Sequence, residues 1–255
     1  MKHFLSIDNV TDYKALVQSA LDYKSNPFKD NGLGKGKTMG MIFLNPSMRT
    51  RISTQRAARN LGMEVIVFNL DKEGWQLEFE DGAVMTGTKA EHVKEAAAVM
   101  GQYFDIIGIR TFPGLINKEE DDSEHYINQF VKYTGEVDFV ITHPKGYDLN
   151  KKFTGNTHIE YDQDKALDGA DFVYVKNWSS YEKYGQMLNT SPAWMMTHKK
   201  LEATHKAKVM HCLPVRRNLV IADEVLDGTQ SIVIQQASNR VWAAQAVLSE
   251  ILKNN

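Results

Sequence analysis

"FLNPSMRTRIST", Phe43 to Thr54, sets an apolar strand end, an Asn-Pro turn and a segment rich in arginine and hydroxyls side by side. The run it completes, "TMGMIFL" (Thr38–Leu44), reads as a buried strand. Asn45–Pro46 is a turn, so Ser47 falls at the start of the next helix. A serine there caps the helix, and the free backbone N–H groups of the first turn point outward. With the helix dipole, Ser47, Thr50 and Arg49 make an anion pocket suited to phosphate. Arg49 and Arg51 are two residues apart and so point about 200° apart on a helix. Only one can enter the pocket. Arg49, nearer the cap, is assigned to it and Arg51 to structural support. A capped helix with two solvated arginines is the competing reading, and the spacing alone leaves both open.

Working outward, β-branched runs alternate with helical patterns, the mark of a parallel sheet covered by helices. "EVIVFNL" (Glu64–Leu70) and "DIIGIR" (Asp105–Arg110) read as further buried strands. Helices are expected near Met48–Leu61, Glu91–Met100 and Ser123–Tyr133, with Gly62 as a C-terminal cap. The second half repeats the rhythm in "VDFVIT" (Val137–Thr142), "DFVYVK" (Asp171–Lys176), "KVMHCL" (Lys208–Leu213) and "SIVIQQ" (Ser231–Gln236), all expected as strands. A last helix is expected over roughly Asn239–Leu252. "NGLGKGKT" (Asn31–Thr38) looks like a phosphate-binding P-loop, but Asn31 stands at its first glycine and it precedes a strand instead of following one. It is read as a turn.

Composition narrows the class. The chain has 255 residues and a net charge of −2, which gives no basis for a nucleic-acid partner. One cysteine, Cys212, excludes a disulfide framework and fits a reducing, cytoplasmic setting. No run approaches eighteen apolar residues, so no membrane span is expected, and "MKHFLSIDNV" lacks a signal-peptide core. The expected architecture is α/β in two lobes: residues 1–135 and 136–255, with the helix at about 239–252 expected to pack back on the first. Polar groups gather where strands run out into loops, the place where open α/β sheets bind ligands.

"NPSMRTR" (Asn45–Arg51) and "HCLPVRRN" (His211–Asn218) together resemble the two signatures of the carbamoyltransferase (transcarbamylase) family, Ser-x-Arg-Thr-Arg and His-Cys-Leu-Pro. Each stands at the end of an expected strand, in the family's order. The extension "VRRN", the tryptophan of "EGWQLE" and "YVKNW" resemble the branch acting on N-acylated ornithines. The resemblance implies a transcarbamylase-like fold of two lobes, each a parallel sheet flanked by helices, with the second lobe shortened. It further implies that Ser47, Met48 (through its backbone), Arg49 and Thr50 hold the phosphate of carbamoyl phosphate. Trp75 would reach that phosphate from a neighbouring subunit, in a homotrimer with shared sites. Arg110 would contact phosphate and carbonyl oxygens, and Arg240 would add a further contact. Cys212 and Leu213 would offer backbone carbonyls to the carbamoyl amine, while Lys176 and Arg216 would bind the acylated amino acid. The resemblance also implies that Ala90 would stand at the acyl-selecting loop position, where acetyl-specific relatives carry glutamate and succinyl-specific ones proline. Alanine has no carboxylate to repel a succinyl tail, so succinyl is favoured.

The implied reaction, attack of an N-acylornithine δ-amine on carbamoyl phosphate in arginine biosynthesis, needs no cofactor and no metal. Read without the resemblance, these residues have plainer roles. Trp75 would be a loop anchor, Cys212 a buried small hydrophobe, and Arg216, Arg217 and Arg240 a solvated basic face. His211 beside Cys212 suggests a nucleophile pair or a metal ligand, but no further Cys or His spacing supports either. The family's third signature, His-Pro-x-Gln, does not occur. "THPKGYD" (Thr142–Asp148) carries Gly146 where glutamine is required. At "VKYTGEVDFV" the resemblance jumps, over an absent segment on the order of two βαβ units of about 30 residues each. Two functional readings follow: an active N-acylornithine carbamoyltransferase, and an impaired relative that binds ligand or oligomerises without turnover. A nicotinamide dehydrogenase is disfavoured, because no Gly-x-Gly-x-x-Gly follows a strand.

Overall fold

The computed structural model describes residues 4, 9–43, 45–74, 77–78, 84–85, 87–88, 90–110, 140–142, 147–149, 154–180, 183–184, 186 and 192–254. In chain order the elements are α1 (Tyr13–Ser25), β1 (Thr38–Phe43), α2 (Met48–Asn60), β2 (Glu64–Asn69), α3 (Leu70–Glu73), β3 (Leu77–Glu78), β4 (Glu91–His92), α4 (Val93–Tyr103) and β5 (Ile106–Arg110). They continue with β6 (Val140–Thr142), β7 (His158–Glu160), α5 (Gln163–Leu167), β8 (Phe172–Val175), α6 (His198–Leu201), β9 (Lys208–His211), α7 (Asp223–Leu226), α8 (Val233–Ser238) and α9 (Arg240–Lys253). Residues Met1–Phe112 with Ser238–Asn255 form one compact unit, and Pro113–Ala237 form another. The expected helix at Ser123–Tyr133, the start of the strand expected at Val137–Thr142, and Trp75 lie outside the described residues.

In the first unit three strands pair in the order β2-β1-β5, all parallel. The central strand is buried along nearly its whole length, which accounts for its continuous apolar run. Met39, Met41 and Phe43 point to one face and meet Ala57 and Ala58 of α2, its C-cap Leu61, Tyr23 of α1, and Ala246 and Leu248 of α9. On the other face Gly40 leaves room for Phe104, whose ring lies 2.4 Å from where a Cβ would stand. This face is only partly covered: Ile66 and Ile109 are 52% and 67% exposed.

The α2 helix ends in a Schellman motif. The Gly62 N–H donates to the Arg59 carbonyl and the Met63 N–H to the Ala58 carbonyl, with Gly62 at φ +86°. The turn over Asn31–Thr38 is tied to this end, since the Gly34 N–H donates to the Leu61 carbonyl at 2.8 Å. Both readings, cap and turn, match the sequence expectation. Helix α1 was not anticipated there. Its polar residues, such as the paired Gln18 and Asp22, thin out the apolar period.

The C-terminal helix α9 packs on α1 and α2 through satisfied polar pairs as well as apolar ones. Asn60 Nδ2 donates to Gln245 Oε1 at 3.0 Å, and Gln245 Nε2 to the Pro27 carbonyl at 2.7 Å. The Tyr23 hydroxyl donates to Asp30 Oδ2 at 2.5 Å and lies 2.7 Å from Ser249 Oγ.

In the second unit β6 pairs with β7 and β8 with β9, again parallel. Val209, Val220, Ile221, Val225, Leu226 and Val233 form its core. One expected strand is corrected. "SIVIQQ" contributes a single bridge, Ser231 to Val209, and then turns into α8. The ladder stops because Gln236, on that helix, accepts the His211 N–H with its side chain at 3.0 Å, taking the place of a strand carbonyl. Among the described residues, no helix is long and apolar enough to cross a membrane.

The buried phenol of Tyr23 gives a pH signature. Burial, and then the hydrogen bond to Asp30, push its pKa up to about 12 from an ordinary 10. The unfolded chain therefore loses this proton first. The contribution of Tyr23 is fully present below pH 10 and is lost as pH rises through about 12. Urea unfolding across pH 8–12 should show the wild-type advantage over Tyr23→Phe shrinking on the alkaline side. An advantage that grows with pH would contradict the assignment.

Candidate active site

The first cluster is built by the turn between β1 and α2. Ser47 is extended (φ −153°, ψ 110°) and its Oγ accepts the Thr50 N–H at 3.4 Å, so it is the N-cap. Parallel pairing sets Arg110, the last residue of β5, opposite Phe43. From there Arg110 Nη1 donates to the carbonyls of Asn45 (3.1 Å) and Pro46 (3.0 Å), fixing the turn that presents Ser47. Arg240, the first residue of α9, donates from Nη2 to Thr50 Oγ1 at 2.9 Å. The first turns of two long helices are thus joined.

Arg49 completes the group. Its Nε is shielded from solvent and has no hydrogen-bond partner among the described residues. Burial first, then the positive charges of Arg240 and Arg49, lower the Arg110 pKa from its ordinary value. Guanidiniums brought near Arg110 at two helix N-termini are an arrangement that suits an anion. Arg51, with Pro46, Ser47, Met48, Asn69 and Lys72, lines an open cleft of roughly 240 Å³. Met48 is 68% exposed, and Ala90 is exposed immediately before β4.

The second cluster lies where β8 and β9 end side by side, Val175 opposite His211. Lys176 Nζ is 3.5 Å from Cys212 Sγ. Cys212 is exposed and stands just past the strand, so the reading of it as a buried hydrophobe does not hold. The Tyr174 hydroxyl sits against Cys212 and Gln236, and burial followed by the Cys212 charge raises its pKa. His211 is buried, and its Nδ1 accepts the Leu213 N–H at 2.8 Å. That nitrogen therefore works as a backbone acceptor and not as a base toward Cys212. Leu213 takes φ +52° in this arrangement, a conformation that costs a branched side chain on the order of 1 kcal/mol and needs outside support.

Past Leu213 the loop is held on both sides. Asn177 Nδ2 donates to the Pro214 carbonyl at 2.9 Å, and Asn177 Oδ1 accepts the Arg216 N–H at 3.3 Å. Arg217 pairs with Asp227 (2.7 and 3.0 Å) and Asp223 (2.7 Å), which raises its pKa and lowers both of theirs. Arg217 is thereby an anchor and not part of a solvated basic face. Sequence reasoning missed Asn177, although an amide directly after a strand-end lysine was a usable signal.

Known proteins resemble the chain along its whole length. Residues 2–137 match the carbamoyl-P binding domain of the aspartate/ornithine carbamoyltransferases, and residues 124–251 match their Asp/Orn binding domain. The chain is 39% identical to the N-succinylornithine carbamoyltransferase of Bacteroides fragilis (strain 638R), covering 100% of this chain and 99% of that one. It is 29% identical to the N-acetylornithine carbamoyltransferase of Xylella fastidiosa (strain Temecula1), covering 98% of each. Among solved structures, a point mutant of N-acetyl-L-ornithine transcarbamylase complexed with carbamyl phosphate and N-succinyl-L-norvaline superposes with a TM-score of 0.84 at 26% identity, covering 98% of this chain and 100% of that one. The chain belongs to the aspartate/ornithine carbamoyltransferase family. Its alignment with the Bacteroides protein spans 316 positions against 255 residues here, which leaves 61 positions with no counterpart inside this chain.

The length of the cap bond sets its expected worth. At 3.4 Å the Ser47–Thr50 bond lies at the weak end, so Ser47→Ala should cost about 0.5–1 kcal/mol in urea unfolding. A loss above about 2 kcal/mol would mean that Ser47 does more than cap the helix.

Proposed function

We propose that this chain transfers the carbamoyl group of carbamoyl phosphate to the δ-amine of an N-acylornithine, with N-succinylornithine favoured. The products are N-acylcitrulline and phosphate, within arginine biosynthesis in the cytoplasm. The observation that carries this reading is the convergence of Arg49, Arg110 and Arg240 at the Ser47-capped helix, in a chain 39% identical to an N-succinylornithine carbamoyltransferase. Ser47, the Met48 backbone, Arg49 and Thr50 hold the phosphate, and Arg110 and Arg240 the shared phosphate and carbonyl oxygens. The carbonyls of Cys212 and Leu213 take the carbamoyl N–H groups. Lys176 and Arg216 bind the carboxylates of the acylated amino acid, and Ala90 leaves space for the succinyl tail. Residues 1–135, with the helix α9 packed back on them, form the carbamoyl-phosphate domain, and the rest of 136–255 the N-acylornithine domain. Trp75 acts across a homotrimer interface.

In the reaction the δ-nitrogen lone pair forms the new C–N bond at the carbonyl carbon. The C–O bond to phosphate breaks, phosphate leaves with the bond electrons, and the nitrogen loses a proton. Negative charge grows on the carbonyl oxygen and the leaving oxygen, where fixed guanidiniums stabilise it without reorganising. Arginine suits the task because its planar fork matches phosphate and stays protonated. A second reading, ligand binding with little turnover, is favoured by the 61 unmatched positions, since losing even one positioned donor to a carbonyl costs about 10²–10³ in rate.

Arg49→Ala should weaken carbamoyl-phosphate binding about a hundredfold by calorimetry, in keeping with loss of charge-assisted hydrogen bonds. Arg51→Ala should cost less, and the reverse order would overturn the orientation of α2 in this site. Steady-state rates should rank N-succinylornithine above N-acetylornithine and ornithine. A clear acetyl preference would reverse the acyl assignment, and carbamoyl-phosphate binding without ureido product would establish the second reading.

A further inference from the structure

We propose that Asn177 is a positioning residue for acceptor recognition: it fixes Arg216 relative to Lys176, and through them the spacing of the cations that meet the N-acylornithine carboxylates. This rests on the function proposed above and adds a residue outside its contact set. The argument begins with topology. Strands β8 and β9 run parallel, so the chain leaves both at the same end of the sheet, and Lys176 and Cys212 emerge as neighbours. Beyond that point, among the described residues, no ladder holds the two segments together. The next link is Asn177, which spends both ends of its amide on the loop after β9: its N–H on the Pro214 carbonyl and its oxygen on the Arg216 N–H.

That task selects the residue type. It requires a donor and an acceptor at fixed separation on a short stem, which asparagine has. Aspartate lacks the donor, serine offers a single atom, and glutamine is one methylene longer. On the far side Arg217 and Asn218 are tied to Asp223 and Asp227. Arg216 therefore sits between two anchors, one of them exposed ion pairs that salt screens. The neutral Asn177 bonds are the part of the clamp that salt does not weaken, and they act on the Arg216 backbone itself.

The test uses the full chain with Asn177→Ala and the milder Asn177→Ser. Amide exchange over residues 213–218 should accelerate at least about tenfold in Asn177→Ala, from the loss of two hydrogen bonds. Affinity for N-succinyl-L-norvaline in the presence of carbamoyl phosphate should fall about tenfold by the same measure. Affinity for inorganic phosphate should stay within about twofold, because its proposed contacts lie in the other unit. In an Arg216→Ala background the same substitution should change N-succinyl-L-norvaline affinity by less than about twofold, since the two residues act as one. Unchanged exchange over residues 213–218, or an equal affinity loss in both backgrounds, would overturn the proposal. A wild type that binds no N-succinyl-L-norvaline would instead sink the functional reading, and the exchange comparison would still decide whether Asn177 holds the loop.

Discussion

The first unit turns on the approach of Arg49 and Arg240 to Arg110 and on what holds the three in place. Arg110 is held by two backbone carbonyls and Arg240 by the Thr50 hydroxyl, while the Arg49 Nε is buried without a partner among the described residues. The surrounding fold holds the same residues in place. β1 is buried between two strands, α2 is capped at Ser47 and closed at Gly62, and α9 is locked to α2 by Asn60 and Gln245. A packed scaffold thus gathers guanidiniums at helix N-termini, an arrangement that suits an anion.

The second unit solves a different problem, holding a loop in which Leu213 adopts a left-handed conformation. The His211 imidazole, the Asn177 amide and the Arg217 ion pairs each take a piece of that loop. The residues expected to contact substrate there, Lys176, Leu213 and Arg216, alternate with those that fix it. Conserving the chemistry therefore depends on side chains that touch only the protein. The partly covered face of the first sheet, with Ile66 and Ile109 exposed, coexists with 61 relative positions that have no counterpart in this chain.

What could be read from sequence followed from local rules. Ser47 after Asn-Pro, Gly62 after Leu61 and the apolar run Thr38–Phe43 each obey a constraint set by their immediate neighbours, and each stands where it was expected. The failures depended on contacts distant in sequence. "SIVIQQ" has strand composition, but the Gln236 side chain ends the pairing at His211. Cys212 is apolar by type yet lies past the strand end, in the open. Helix α1 presents too few apolar residues for its period to stand out, and Tyr23 alone of its side chains is fully buried. Asn177 drew no attention because its partners, Pro214 and Arg216, lie nearly forty residues away.

The most direct test of the central claim is the thermal stability of wild type and Arg49→Met as inorganic phosphate is raised. Methionine keeps much of the volume while removing the charge and the unpartnered buried nitrogen. Wild-type Tm should rise steadily with phosphate, as mass action requires for an anion bound only by the folded state. Arg49→Met should start at an equal or higher Tm without phosphate and gain little from it. A wild type indifferent to phosphate, or a variant stabilised by phosphate as strongly as wild type, would contradict the account.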